Sequence, residues 1–175
     1  MKSPLFALSL CIAATTISAT AQAVQTGSLT IRGTIQGGTC HLATSDVTRT
    51  INLPTVKVSD FDSADWAGLH EFNLTANCDS DIRNVTFTFA GKSAPTAPTR
   101  FANDGNAAGI ATVIQSRIGG SAYNFPANGT ATARSRTIAA TSGRAVLPMG
   151  AHYIKIGTVS KGSLLTTASV TITYN

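Results

Sequence analysis

Few side chains in this sequence have the type and spacing to carry chemistry. Asp60 and Asp62 are carboxylates two residues apart, the raw material of a glycosidase pair, but no acid/base partner stands near them. They read as part of a polar loop. His41 adjoins Cys40, yet Cys40-His41 and the distant Cys78 do not reproduce zinc-ligand spacing. His70 and His152 each stand alone on strand-like segments. No Gly-x-Ser-x-Gly elbow, His-Glu-x-x-His pair or Gly-x-x-x-x-Gly-Lys loop occurs. The sequence therefore points to no enzyme, no metal site and no cofactor. The remaining candidate chemistry is that of Cys40 and Cys78, and its outcome depends on compartment.

The first segment sets that compartment. Lys2 precedes an apolar stretch from Leu5 to Ile17, and the segment ends in Ala21-Gln22-Ala23, the small-x-small pattern of a signal peptidase site. The apolar run is short and rich in Ser, Thr and Ala, which disfavours a stable membrane span. A lipid anchor at Cys11 is disfavoured by Leu10, which stands where that signal needs a small residue. Residues 1–23 are expected to be a cleaved secretory signal, with Val24 as the mature N-terminus. Cys11 leaves with the signal. Two cysteines in an exported chain point to one disulfide, against the competing reading of two free thiols. Closing the loop from Cys40 to Cys78 would stabilise the fold by about 4 kcal/mol in the chain-entropy model.

Removing 23 of 175 residues leaves 175 − 23 = 152, enough for one domain with a core. Lys2 also leaves, so 12 Lys and Arg face 8 Asp and Glu, a net charge of 12 − 8 = +4. No Lys/Arg run interleaved with aromatics appears, so nucleic-acid binding is not indicated. The charges are uneven. Asp60, Asp62, Asp65, Glu71, Asp79 and Asp81 lie in one stretch, and Arg100, Arg117, Arg134, Arg136 and Arg144 in another. They read as solvated loops and strand faces, or as patches through which neighbouring copies attract.

The elements that must hold these residues are strands. Thr, Val, Ile and Gly are abundant, and short period-2 runs recur without a sustained helical period. Strands are expected near 27–36, 47–53, 69–77, 84–90, 109–116, 136–140, 145–156 and 164–174. Turn signals separate them, among them Gly37-Gly38, Asn103-Asp104-Gly105 and Ser142-Gly143. The stretch holding Pro95 and Pro98 reads as a surface loop, and Trp66 as a loop anchor. Short strands at this spacing argue for a sandwich of two antiparallel sheets.

The two ends of the mature chain carry the clearest patterns. At the C-terminus, Leu164, Thr166, Ala168, Val170, Ile172 and Tyr174 share one face of an extended strand, and the intervening residues are polar apart from Leu165. Gly162 and Ser163 precede it. At the N-terminus, Gly27, Leu29, Ile31, Gly33 and Ile35 alternate with Ser28, Thr30, Arg32, Thr34 and Gln36. Such a segment could pair within its own domain or extend as an arm. Gly27 suggests a place where backbone passes close to a neighbour.

These features together resemble the pilins of the chaperone–usher family, closest to type 1 fimbrial subunits. Gly33-Thr34-Ile35 begins seven residues before Cys40, and Ile51-Asn52-Leu53-Pro54 is similar to the family's following strand. Phe72-Asn73-Leu74 leads to Cys78, and Val85-Thr86-Phe87-Thr88-Phe89 is similar to the next core strand. Asn103 to Ile110 resembles the family's loop into a central strand. Gly162 stands fourteenth from the end and Tyr174 is penultimate. The resemblance spans 24–175.

The resemblance implies an all-β, incomplete immunoglobulin-like sandwich, the pilin fold, with one disulfide, completed in trans by a donor strand. It implies a donor-strand extension over 24–34 and a pilin domain over 35–175. The donor residues would be Gly27, Leu29 and Ile31. The groove would be lined by Gly162, Leu164, Ala168, Val170, Ile172 and Tyr174, with the carboxylate of Asn175 held by a chaperone's basic residues. A periplasmic pilus chaperone would lend the missing strand, and at the outer-membrane usher the arm of a neighbouring pilin would replace it. The expected location is the cell-surface fimbrium of a Gram-negative bacterium, and the expected role is a structural subunit supporting cell adhesion. The alternative is a single-domain minor or tip subunit that itself binds a host receptor. The arm before Gly27 is only Val24-Gln25-Thr26, shorter than in related major subunits. The mature length leaves no room for a separate lectin domain.

Overall fold

The described part of the chain forms ten strands, and the inward residues of the longer ones build the main core. The computed structural model describes residues 28–175. The signal segment 1–23, Val24 and the donor position Gly27 lie outside the described residues. The strands are β1 (Cys40–Leu42), β2 (Trp66–Cys78), β3 (Asn84–Gly91), β4 (Ser93–Ala94), β5 (Ala97–Phe101), β6 (Ile110–Ile118), β7 (Ser121–Phe125), β8 (Ser135–Ala139), β9 (Arg144–Lys155) and β10 (Ala168–Tyr174). One sheet runs β1-β2-β9-β6-β5-β4, with β7 also paired to β6, and the other runs β10-β3-β8. All pairings are antiparallel. The arrangement is the expected immunoglobulin-like sandwich with one disulfide.

The core lies between the sheets. β3 supplies Val85, Phe87 and Phe89, β9 supplies Ala145, Leu147 and Met149, and β2 supplies Leu74 and Ala76. Their odd or even numbering within each strand is the pleat made visible. Phe101, Phe125 and Ile82 close the ends. Each large side chain buried here contributes about 1.5–3 kcal/mol from apolar area alone.

Residues up to Ile35 and residues from Gln36 onward form separate units. In the first, residues 28–35 adopt neither helix nor strand, and Leu29, Ile31 and Ile35 are 87%, 85% and 99% exposed. The strand expected near 27–36 is therefore not present among the described residues. An alternating sequence has no strand to form until a partner supplies the ladder.

Three other expectations change. No strand forms over 47–53; a short helix α1 (Thr44–Val47) stands at its start. The reason is Asp46. Its buried carboxylate accepts the Thr75 N–H at 2.9 Å and pairs with Arg49, which also donates to the Asn73 carbonyl. Side chains hold this segment to β2, where a ladder would have used backbone. The stretch read as a loop around Pro98 contains β4 and β5, at the periphery of the sheet, where a missing N–H is tolerated. Trp66 is no loop anchor; it opens β2, edge-on to the His152 ring.

Candidate functional site

The site grows from the C-terminal alternation. Of the strand expected over 164–174, residues 168–174 form β10, and its partner is β3 from Ala168↔Gly91 to Tyr174↔Val85. Val170 and Ile172 pack against the main core, while Ser169, Thr171 and Thr173 face outward. Ala168 and Tyr174 share the inward face but are exposed, Tyr174 at 41%. The core-facing row is thus half covered in its middle and open at both ends.

Among the described residues, β10 has a partner on one side only. The backbone of Asn175 exchanges both hydrogen bonds with Asn84, at 3.2 and 3.4 Å. In an antiparallel ladder, bonded and non-bonded pairs alternate. Residues 173, 171 and 169 therefore bond to β3, and residues 168, 170, 172 and 174 direct their N–H and C=O groups to the open edge. One set of residues thus offers both apolar side chains toward the core and free backbone groups toward a further strand. Unpaired edges of this kind are templates for strand addition. β1, at the edge of the other sheet, comes close to β10 without pairing to it. Leu42 of β1 packs on the same core as Val170 and Ile172.

The other predicted residues fall as follows. Cys40 and Cys78 are bonded to each other and register opposite one another in β1 and β2. Just before β1, the Gly38 N–H donates to Asp81 and the Thr39 N–H to Asp79, each at 2.8 Å. Two of the acidic residues read as a surface patch thus fix the entry into the fold. Leu29 and Ile31 lie exposed and outside any strand. Gly162 and Leu164 precede β10 in irregular chain, with Leu164 half-buried. The Asn175 carbonyl also accepts from the Arg83 N–H at 2.9 Å.

The residues first weighed for chemistry have structural partners. Asp60 caps a one-turn 3-10 helix by accepting the Lys57 N–H at 2.8 Å. Glu71 pairs with Arg117 across the outer face of the larger sheet. The Arg136 guanidinium lies 3.6 Å from the centre of the Tyr123 ring, and Arg134 donates to the carbonyls of Phe89 and Gly129. His152 is buried on β9, and its Nδ1 has no partner. Burial first, then the charges of Arg100 and Arg117, hold its pKa below the ordinary histidine value. No group of three metal-ligating side chains occurs among the described residues.

Sequence reasoning missed a set of contacts just upstream of β10. Asn103, read as a turn residue, and Asn106, read as part of the loop over 103–110, bind the chain at 163–165 from about sixty residues away. An Asn in a turn is a signal for side-chain bonding to nearby backbone, but it does not name a distant partner.

Comparison with known proteins gives consistent relatives. A family model described as fimbrial protein matches residues 29–175. The S-fimbrial adhesin protein SfaS of Escherichia coli O6:K15:H31 (strain 536 / UPEC) is 30% identical over 162 residues, covering 90% of each chain. Among solved structures, the P pilus rod subunit PapA superposes with a TM-score of 0.62 at 19% identity, covering 78% of this chain and 99% of that one. A chaperone–usher pilus solved in connection with rod uncoiling gives 0.61 at 18% identity, covering 90% of this chain and 100% of that one. At such identities these two structures speak to the fold.

Proposed function

The chain belongs to the fimbrial protein family of chaperone–usher pilus subunits, and from that premise we propose that it is a structural subunit polymerised by donor-strand exchange. The observation that carries this reading is the open edge of β10, where residues 168, 170, 172 and 174 present backbone groups outward and Val170 and Ile172 lie against the core. A donor strand laid along that edge adds backbone hydrogen bonds and slots alternate side chains between the sheets. Leu29 and Ile31 of a neighbouring copy are the donor side chains, with Gly27 at the close approach.

Magnitudes set the two contributions side by side. Burying Leu29 and Ile31, both exposed in the single chain, contributes about 1.5–3 kcal/mol each. Each backbone bond replaces a bond to water and adds only about 1 kcal/mol net. Summed along residues 168–174, the backbone bonds and the two side chains contribute comparable amounts, so both decide whether the short arm holds. Before assembly, a periplasmic chaperone covers the same edge, and the outer-membrane usher is where the exchange takes place. The assembled fibre stands on the cell surface and supports adhesion.

The test is Leu29→Asp combined with Ile31→Asp. Export and chaperone binding should persist, and fibres should be absent by electron microscopy. Normal fibres from this variant would sink the reading. A second reading, a minor subunit that itself binds a host receptor, is supported by the adhesin name of the 30% identical relative. Strand-complemented subunit should then bind host glycans or proteins on an array, and a blank array would count against it.

A further inference from the structure

The hydrophobic pattern of β10 sets its face but not its register. A one-residue slip along β3 would turn Val170 and Ile172 outward. A two-residue slip would not: Ile172 would take the place of Val170, and Thr and Ser would still face outward. Something outside the alternation must choose between registers two residues apart.

The chain just before β10 is held by an unusually dense set of polar contacts. Asn103 Oδ1 accepts the N–H of Gly105 at 2.7 Å and of Leu165 at 2.9 Å. Asn103 Nδ2 donates to the Ala107 carbonyl at 2.8 Å and to the Ser163 carbonyl at 3.4 Å. Asn106 Oδ1 accepts both the N–H and the hydroxyl of Ser163, at 2.6 and 2.9 Å. Backbone bonds run in parallel, from the Asp104 N–H to Leu165 and from the Ala107 N–H to Ser163. One step nearer the strand, Thr166 Oγ1 donates to the Ala102 carbonyl at 2.9 Å and meets the Thr112 hydroxyl at 2.7 Å. The approach is close enough that a Cβ on Gly105 would stand 2.3 Å from the Ser163 oxygen, and one on Gly162 would stand 2.6 Å from the Ala107 nitrogen.

We infer that Asn103 is a positioning residue: it clamps residues 163–165 to the 103–107 turn and so fixes the register of β10 on β3. Resting on the strand-acceptor reading above, the clamp also fixes where the open backbone groups and the Val170 and Ile172 side chains meet an incoming donor. β10 begins at Ala168, three residues beyond Leu165, too short a span to absorb a two-residue shift while the clamp holds.

Paired cysteines on the outward face read the register directly. Thr88→Cys with Thr171→Cys reports the native pairing; Thr88→Cys with Thr173→Cys and Thr86→Cys with Thr171→Cys report slips of two residues in either direction. The full exported chain, recovered from the periplasm, is read for disulfides formed between the introduced cysteines, a bond too short to bridge diagonal neighbours. With Asn103 intact, only the native pair should cross-link. Introducing Asn103→Ala should raise a slipped product at least about tenfold, the worth of one to two net hydrogen bonds. Gly105→Ala, whose Cβ would stand 2.3 Å from the Ser163 oxygen and 2.9 Å from Asn103 Oδ1, disturbs the same clamp from the turn side; it should do the same and serves if Asn103→Ala folds poorly. Exclusive native cross-linking in both variants, whatever their melting temperature, overturns the inference, because a merely stabilising role lowers stability without moving the register. Capture of a peptide spanning residues 24–36 is measured alongside. If the chain with Asn103 intact captures none, the strand-acceptor reading fails, while the cross-links still decide the role of Asn103.

Discussion

The two ends of the described chain carry the same alternating pattern and reach opposite states. Residues 28–35 place Leu29, Ile31 and Ile35 in the open and form no strand. Residues 168–174 form β10, with Val170 and Ile172 against the core. The difference is not in propensity, since both runs alternate β-branched or apolar residues with polar ones. β10 has β3 on one side and a clamp upstream; residues 28–35 have neither a ladder nor a cap. Alternation specifies a surface to be covered, and only a partner turns it into a strand.

The sharpest way to break this comparison is to put the same charge into both ends. Val170→Asp with Ile172→Asp forces two carboxylates onto the core beside Phe87 and Phe89. Unpaired buried charge costs about 3–5 kcal/mol, comparable with the whole stability of a small domain. Soluble subunit should vanish from the periplasm. Leu29→Asp with Ile31→Asp should change the stability of the unassembled subunit by less than about 0.5 kcal/mol, because these side chains touch no core. Equal losses at both ends, measured as periplasmic yield and protease resistance, would mean that residues 28–35 also depend on packing.

Much of the sandwich was legible because its long strands are patterned by burial. β2, β3, β9 and β10 fall on runs whose alternation the core explains, such as Val85-Phe87-Phe89, whereas β6 is buried on both faces along most of its length. The inward face of β10 was legible for the same reason. What escaped the sequence depends on distance or on side chains acting as backbone. Asp46 replaces a ladder at 47–53, and Asn103 reaches Leu165 across 62 residues. β7 and β5 were missed because their partners, rather than their own residues, make them strands. Residues 28–35 were read as a strand because their pattern alternates, but no ladder forms on them among the described residues.

A smaller effect sharpens the comparison from the N-terminal side. Cys40–Cys78 ties β1 to β2 immediately after the Gly38–Thr39 amides are held by Asp81 and Asp79. Cys40→Ala with Cys78→Ala should destabilise the subunit by about 4 kcal/mol in the chain-entropy account. At a urea slope of about 2 kcal/mol/M, the midpoint should fall by about 2 M. Hydrogen exchange should place the added opening at β1, with the β10–β3 pairs still the better protected. If β10 opens first instead, the disulfide secures the β10 edge as well as the entry into β1.

The smallest expected effect comes from neither end, and it serves to separate them from the scaffold. No histidine lies in 28–40 or in 164–175, whereas His152 is buried in β9 with a lowered pKa. Its neighbours reinforce the neutral form: Trp66 covers it, Arg100 and Arg117 repel a proton, and Glu71 is already engaged with Arg117. The unfolded chain therefore takes up this proton first as pH falls. The stability it protects is complete above the ordinary value of 6.5 and is lost as pH drops through 6.5 toward the lower folded value. His152→Asn should flatten the stability-versus-pH curve over that window, by no more than one proton's worth of slope. The same flattening should appear in the background of Leu29→Asp with Ile31→Asp, since those residues do not titrate with the scaffold. A curve of unchanged slope in His152→Asn would assign the acid sensitivity to another group. Slopes that differ between the two backgrounds would show that the exposed arm and the folded sheets are energetically coupled before any neighbour arrives.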